Sequence, residues 1–207
     1  MFITFEGGEG SGKTTQAKRL VENLQKKGIK ALFTREPGGT ELAEKIRNLL
    51  LENQGIENAL TEFLLLTAAR HNHVESLIKP KVSEGFIVVC DRFFDSSIAY
   101  QGFCKELDIN LMRSLHSSVF KDFGPNITFL IDIDPEIAQQ RINSLTSNRT
   151  SNHYDQRNLE FHRKVRQGLL ECAKLDAKRF TIIDGSLDME TIERKLINHV
   201  YSINLKI

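Results

Sequence analysis

Gly7-Gly8-Glu9-Gly10-Ser11-Gly12-Lys13-Thr14 matches G-x-x-x-x-G-K-[ST] without a substitution. Met1-Phe2-Ile3-Thr4-Phe5-Glu6 before it reads as a buried strand. After it, Thr14, Ala17, Leu20, Val21 and Leu24 recur at three- and four-residue steps, the spacing of one helix face. A Gly-rich turn between a strand and a helix is the setting in which this pattern binds phosphate. Glycines let the backbone wrap a polyphosphate, and free N–H groups at the helix start point at the anion. In such a phosphate-binding loop (P-loop), Lys13 reaches the β- and γ-phosphates and the Thr14 hydroxyl can ligate Mg²⁺. A turn that binds nothing is the alternative, and the flanking strand and helix argue against it.

Short strand-like runs alternate with helix-like segments outward from this loop. Strands are expected at 2–6, 31–35, 86–91, 127–132 and 180–184, and helices at 13–27, 41–53, 58–79, 108–121, 135–144, 157–177 and 188–201. Gly28 closes the first helix, and Asp134-Pro135 opens another as N-cap and first-turn proline. Apolar strands separated by helices predict an α/β fold, a five-stranded parallel sheet with helices on both faces. Ligands collect beyond the carboxyl ends of such strands. Here those ends are polar: Glu6, Arg35, Asp91-Arg92, Asp132 and Asp184. The polar stretch 145–156 has the length of a short lid or of a solvated connection.

A length of 207 residues suits one domain spanning 1–207. With 28 basic and 27 acidic residues the chain lacks the basic excess of a nucleic-acid binder, so no nucleic-acid partner is expected. No apolar run approaches the ~18 residues of a membrane span, and the first residues read as a strand, not as a signal peptide. Cys90, Cys104 and Cys172 are odd in number and widely spaced, without a zinc or disulfide pattern, which fits a reducing cytoplasm. His71 and His73, two apart on an expected helix, face different ways and make a poor metal pair.

Two further clusters sit at strand ends. Arg35-Glu36-Pro37-Gly38-Gly39-Thr40 is a turn whose flanking charges suggest a site. In Asp91-Arg92-Phe93-Phe94-Asp95-Ser96-Ser97-Ile98-Ala99-Tyr100-Gln101-Gly102, Asp91 either helps to hold Mg²⁺ or caps the next turn. Arg92 offers the planar donor fork that suits a phosphoryl group.

Together these segments resemble the thymidylate kinase family of P-loop nucleoside monophosphate kinases. The family patterns F-I-x-F-E-G-x-[DE]-G-x-G-K-T-T, T-R-E-P-G-G-T and D-R-[YF]-x-x-S-S-x-A-Y-Q-G match Phe2–Thr15, Thr34–Thr40 and Asp91–Gly102, and Ala68–Arg70 resembles the family's A-A-x-R helix, one residue short of it. Asn158–Gly168 is similar to the family's L-x-F-[HY]-x-x-V-R-x-G. The resemblance implies a P-loop NTPase-type sheet, ATP as donor, Mg²⁺, dTMP as acceptor, and a homodimer. It implies that Gly7, Gly8, Glu9, Gly10, Ser11, Gly12, Lys13, Thr14 and Thr15 hold ATP, with Arg141 against the adenine, and that Thr14 and Asp91 hold the metal. For dTMP it implies Arg35, Arg47 and Arg92 on the phosphate, Glu9 on the 3′-OH, and Tyr100 crowding the 2′ position. Arg70, Ser97 and Gln101 would read the base, with Pro37 and Leu66 in the same pocket. Without the family, Arg70 reads as a solvated helical arginine.

Three departures stand out. The family commonly stacks a Phe on thymine where this chain has Leu66, with Phe63 one turn earlier. Asn152-His153 replace the Asp-Arg of the lid. Gly8 and Gly10 leave no arginine in the P-loop, so the catalytic positive charge is expected from Arg149 in the lid, with His153 second. Phosphorylation of another nucleoside monophosphate or a deoxynucleoside remains an alternative, as does a non-catalytic nucleotide switch, although the N-K-x-D of guanine-specific switches is absent.

Overall fold

A computed structural model describes residues 1–52, 58–145 and 158–203. Five strands, β1 (Phe2–Glu6), β2 (Ala31–Arg35), β3 (Ile87–Asp91), β4 (Ile127–Asp132) and β5 (Phe180–Asp184), form one parallel sheet in the order β2-β3-β1-β4-β5. The helices are α1 (Lys13–Lys26), α2 (Glu41–Leu51), α3 (Ala59–His73), α4 (Lys79–Ser83), α5 (Phe94–Ser97), α6 (Ile109–Phe120), α7 (Pro135–Leu145), α8 (Leu159–Leu175) and α9 (Met189–Ser202). Pairing of Asp91 with both Phe5 and Arg35 brings the ends of β1, β2 and β3 to one edge. There the P-loop leaves β1, the strand on which the order reverses, so the loop sits at the switch point of the sheet.

Alternation along β1 divides the core. Ile3 and Phe5 pack with Leu20 and Leu24 of α1 and Leu196 and Val200 of α9. Phe2 turns the other way, against Val74, Ile78 and Phe93. Further along that second face, Leu130 meets Ile98, Val165 and Leu169. Both faces are therefore covered, which explains why β1, β3 and nearly all of β4 are buried along their length. Truncating a fully buried ring such as Phe5 to alanine would cost about 3–5 kcal/mol.

Most of the long helices start on a capping side chain. Thr40, Asn58, Asp108, Asn158 and Asp188 each accept from an N–H in the following turn. Helix α1 does not. Its N-cap is Gly12, in a left-handed conformation at φ 86°, with no side-chain cap and no acid in the first turn. Its first N–H groups are left for an outside acceptor. Gly10, at φ 74°, also has no room for a side chain, because a Cβ there would lie 2.6 Å from the Ala138 carbonyl.

All five expected strands form, with boundaries within one residue. The helices expected at 13–27, 41–53, 108–121, 135–144, 157–177 and 188–201 form within two residues wherever they are described. The helix expected at 58–79 runs on through a π-helical stretch, Val74–Ile78, into α4 and ends at Ser83. The helical segment formed by α5 and the π-helical stretch Ile98–Phe103 has no counterpart among the expected helices. Asp95 through Gly102 are all buried, so this segment carries no polar face and no 3.6-residue pattern. The expected lid at 145–156 falls, beyond Leu145, outside the described residues, and Arg149 and His153 with it. Among the described residues no helix is long and apolar enough to cross a membrane.

Candidate active site

The P-loop joins β1 to α1 and holds Lys13 against itself. Lys13 Nζ donates to the Gly8 carbonyl at 3.2 Å and lies 3.9 Å from Glu9 Oε2. Burial, then the Arg92 charge, lowers its pKa, so an anion at this spot would relieve a desolvated cation. Ser11 Oγ is buried without a partner beneath the loop. At the end of β3, Asp91 Oδ2 accepts from the Thr14 hydroxyl, while Oδ1 is buried without a hydrogen-bond partner. A hydroxyl and a carboxylate with a spare oxygen are a donor set that a hard divalent cation accepts.

Beside the loop lies a cavity open to solvent, with about 640 Å³ of empty space counting its mouth. It is lined by Glu9, Glu36, Pro37, Arg47, Leu50, Leu51, Leu66, Arg70, Arg92, Phe93, Ser96, Ser97, Tyr100 and Gln101. Arg92 connects the cavity to the P-loop. It donates to Glu9 Oε1 at 2.7 Å, to the Tyr100 hydroxyl at 3.0 Å and to Ser96 Oγ at 3.0 Å. Burial opposes its charge, but the neighbouring carboxylates of Glu9 and Asp91 raise its pKa. Its φ of 73° is a conformation a non-glycine residue adopts only when the surroundings impose it. Its N–H bonds to the Phe5 carbonyl at 2.9 Å, which helps to impose it.

At the other end, Arg70 reaches in from α3. Its Nε donates to Glu36 at 2.6 Å, and its Nη2 donates to Ser97 at 3.0 Å and the Phe93 carbonyl at 3.3 Å. Nη1 is buried and unpartnered. Gln101 donates from Nε2 to Glu62 at 2.9 Å, and its Oε1 is also buried and unpartnered. Two residues that line the cavity thus each keep a buried atom without a hydrogen-bond partner: a donor, Arg70 Nη1, and an acceptor, Gln101 Oε1. Groups left this way cost about 1–3 kcal/mol each until something pairs with them.

A family model described as thymidylate kinase matches residues 5–196. The chain belongs to the thymidylate kinase family. It is 42% identical to the thymidylate kinase of Orientia tsutsugamushi over 95% of this chain and 91% of that one. It is 43% identical to that of Wolbachia pipientis wMel, over 98% and 96% of the two chains. The solved thymidylate kinase of Ehrlichia chaffeensis superposes with a TM-score of 0.79 at 38% identity, covering 97% of this chain and 98% of that one.

Nine of the ten residues that the resemblance to the thymidylate kinases assigns to dTMP meet in the one cavity. Glu9, Pro37, Arg47, Leu66, Arg70, Arg92, Ser97, Tyr100 and Gln101 all line it. Arg47 donates to the Pro37 carbonyl at 2.8 Å, across a cis Glu36–Pro37 bond. Arg35 is absent from the lining and pairs with Glu44 at 3.1 Å on a half-exposed surface. Arg141 is held at the β5–α9 turn, donating to the carbonyls of Gly185 at 2.8 Å and Ser186 at 3.3 Å. Phe63 is fully buried among Ile98, Ala99 and Tyr100, so Leu66 is the apolar side chain by which α3 lines the cavity.

Two buried acids were not singled out from the sequence. Glu36 holds Arg70 with one oxygen and His73 Nδ1, at 3.1 Å, with the other. Glu62 holds Gln101 and Lys105. Glu36 stands in the quoted turn, where its charge beside Arg35 was the only signal. Glu62 looks like any first-turn helical acid. Glu36, His73 and Cys90 also bring ligand atoms within 4.8 Å of one another. Both His73 nitrogens are already engaged, Nε2 with Thr34 at 2.7 Å, and burial keeps Cys90 a thiol by raising its pKa. Glu36 and His73 form a hydrogen-bonded support for Arg70, while the Cys90 thiol donates to the Arg92 carbonyl.

Proposed function

We propose that this protein transfers the γ-phosphoryl group of ATP to dTMP, giving dTDP for dTTP synthesis. The observation that carries the reading is the unsatisfied pair Arg70 Nη1 and Gln101 Oε1. Thymine presents an acceptor at O4 beside a donor at N3–H, the complement of that pair, whereas cytosine presents N4–H₂ beside an acceptor N3. Leu66 supplies apolar contact to the ring. Arg70 and Gln101 line a cavity that Arg92 and Glu9 join to the P-loop, which supports a meeting of acceptor and donor phosphates there.

Within this reading the P-loop N–H groups of residues 7–15 cradle the ATP phosphates and Lys13 neutralises charge on the transferring group. Arg92 and Arg47 bind the dTMP phosphate, with Arg35 joining them once released from Glu44. Glu9 accepts from the 3′-OH, Tyr100 fills the space a 2′-OH would need, and Arg141 lies against adenine. Thr14 and Asp91 would hold Mg²⁺, which when bound would neutralise charge on the ATP phosphates. The acceptor is already an anion, so positioning and charge neutralisation carry the rate and no general base is required.

A homodimer fits the surface. Helix α3 exposes Leu60 and Leu64 at a four-residue step, and Leu42 and Leu49 of α2 and Leu111 of α6 are also exposed. A second copy of this chain would cover these side chains, and sedimentation of wild type against Leu64→Glu tests it. The three free cysteines fit a reducing cytoplasm. For the function itself, the test is a panel of dTMP, dUMP, UMP, AMP, dCMP and thymidine with ATP and Mg²⁺. Preferential conversion of dTMP supports the reading. ATP hydrolysis without transfer to any of them would favour a nucleotide switch.

A further inference from the structure

Arg70 can present only donors to the base, but Gln101 can present either end of its amide. Turning a glutamine amide over exchanges an acceptor for a donor with almost no change of shape. Its neighbour decides. Glu62, in the first turn of α3 and buried, takes Gln101 Nε2 at 2.9 Å on Oε1. The Lys105 ammonium pairs with Oε2 of the same carboxylate. A carboxylate with a lysine as countercharge only accepts, so it must face the nitrogen of Gln101. Oε1 of Gln101 is then the atom left buried and unpartnered.

We infer that Glu62, which is not among the residues lining the cavity, is a specificity-determining positioning residue: with Lys105 behind it, it fixes the Gln101 amide so that an acceptor meets the pyrimidine N3 position. The inference rests on the dTMP reading above. Glu62 selects pyrimidines that carry a hydrogen on N3 and disfavours cytosine.

Glu62→Gln reverses the arrangement. The new amide keeps its oxygen on the Lys105 ammonium and turns its NH₂ toward Gln101. Gln101 must then accept with Oε1 and present Nε2 to the base, where N–H meets thymine N3–H. The experiment measures kcat/KM for dTMP and dCMP in wild type, Glu62→Gln, and the double variant Glu62→Gln with Gln101→Glu. In the double variant the carboxylate introduced at position 101 would accept from the amide introduced at position 62 with one oxygen and from N3–H with the other. The dTMP-to-dCMP ratio should fall roughly tenfold or more in Glu62→Gln, the scale of one buried polar mismatch, and recover in the double variant. An unchanged ratio in folded Glu62→Gln, or an equal loss on both substrates without recovery, overturns the inference. Failure of wild type to use dTMP overturns the function reading instead.

A measurement on wild type covers the case in which the variants do not fold. In protein labelled with ¹⁵N-glutamine, the Gln101 side-chain NH₂, held by a buried carboxylate, should be protected from exchange before dTMP is added. Exchange at the rate of an exposed amide would overturn the inference.

Discussion

Arg92 Nη2 lies 2.7 Å from Glu9 Oε1, so the end of β3 is tied to the middle of the P-loop. Glu9 is two residues after Gly7, and Arg92 follows Asp91, whose other neighbour is Thr14. One strand end thus touches the loop twice, once through the candidate metal pair and once through the arginine. Under the proposed role of Arg92, a dTMP phosphate would compete with Glu9 for the guanidinium and loosen this pair.

Arg92→Lys keeps the charge and loses the fork. A lysine at this position can adopt the same backbone conformation, so the fold should persist while the simultaneous contacts to Glu9, Ser96 and Tyr100 cannot. A charged hydrogen bond is worth about 1.5–3 kcal/mol. We expect kcat/KM for dTMP to fall at least about tenfold, read by steady-state kinetics. A change under twofold would remove Arg92 from the phosphate site.

Lys13→Ala should lower turnover by two orders of magnitude or more, the loss of about 2.7–4 kcal/mol that follows removal of one preorganised electrostatic contact. Its pKa is already lowered by burial, so deleting it also removes a desolvated cation and should not reduce stability. Thermal melting alongside kinetics checks both halves. Near-wild-type turnover would place the charge elsewhere.

Tyr100 is buried, and its hydroxyl lies between Arg92 at 3.0 Å and Glu9 at 3.2 Å. Burial raises its pKa well above the ordinary value, so it acts as a neutral phenol. Tyr100→Phe should keep most discrimination against the ribonucleotide, and Tyr100→Ala should relax it. The readout is kcat/KM for dTMP against ribothymidine monophosphate. An equal ratio in Tyr100→Ala and wild type would show the ring to be packing only.

The parallel sheet was legible because its strands are short apolar runs with polar ends, and because Gly10, Gly12 and Lys13 allow few conformations other than a phosphate loop. Individual contacts were less legible, because local spacing does not carry them. Arg35 reads as a phosphate ligand, yet in the ligand-free fold a half-exposed acid, Glu44, lies 3.1 Å away. Glu62 carries no local sign of its partners because Gln101 is 39 residues away in the chain. The helical turn from Phe94 to Phe103 was invisible to periodicity because it is buried nearly all round.

Glu6 gives a pH test of the site's foundation. It ends β1, fully buried, accepting from the N–H of Phe93 at 2.8 Å, the N–H of Ser96 at 3.2 Å and Ser96 Oγ at 2.5 Å. Burial, then the nearby Asp95 carboxylate, raises its pKa from 4.5 to about 7, and Arg92 offsets only part of this. Between those two pH values the folded chain holds a proton that the unfolded chain has released. Stability from this group is therefore present below about pH 4.5 and is lost as pH rises to about 7. Glu6→Gln cannot ionise and keeps an oxygen for the Phe93 N–H. Its melting temperature relative to wild type should rise between pH 5 and pH 8, by a few degrees if each kcal/mol is worth about 2–4 °C in a chain of this size. Taking the difference cancels the titration of every other group. Parallel melting curves across that range would mean that Glu6 titrates alike in the folded and unfolded chains, and that the base of the Arg92 turn carries an ionised buried carboxylate at neutral pH.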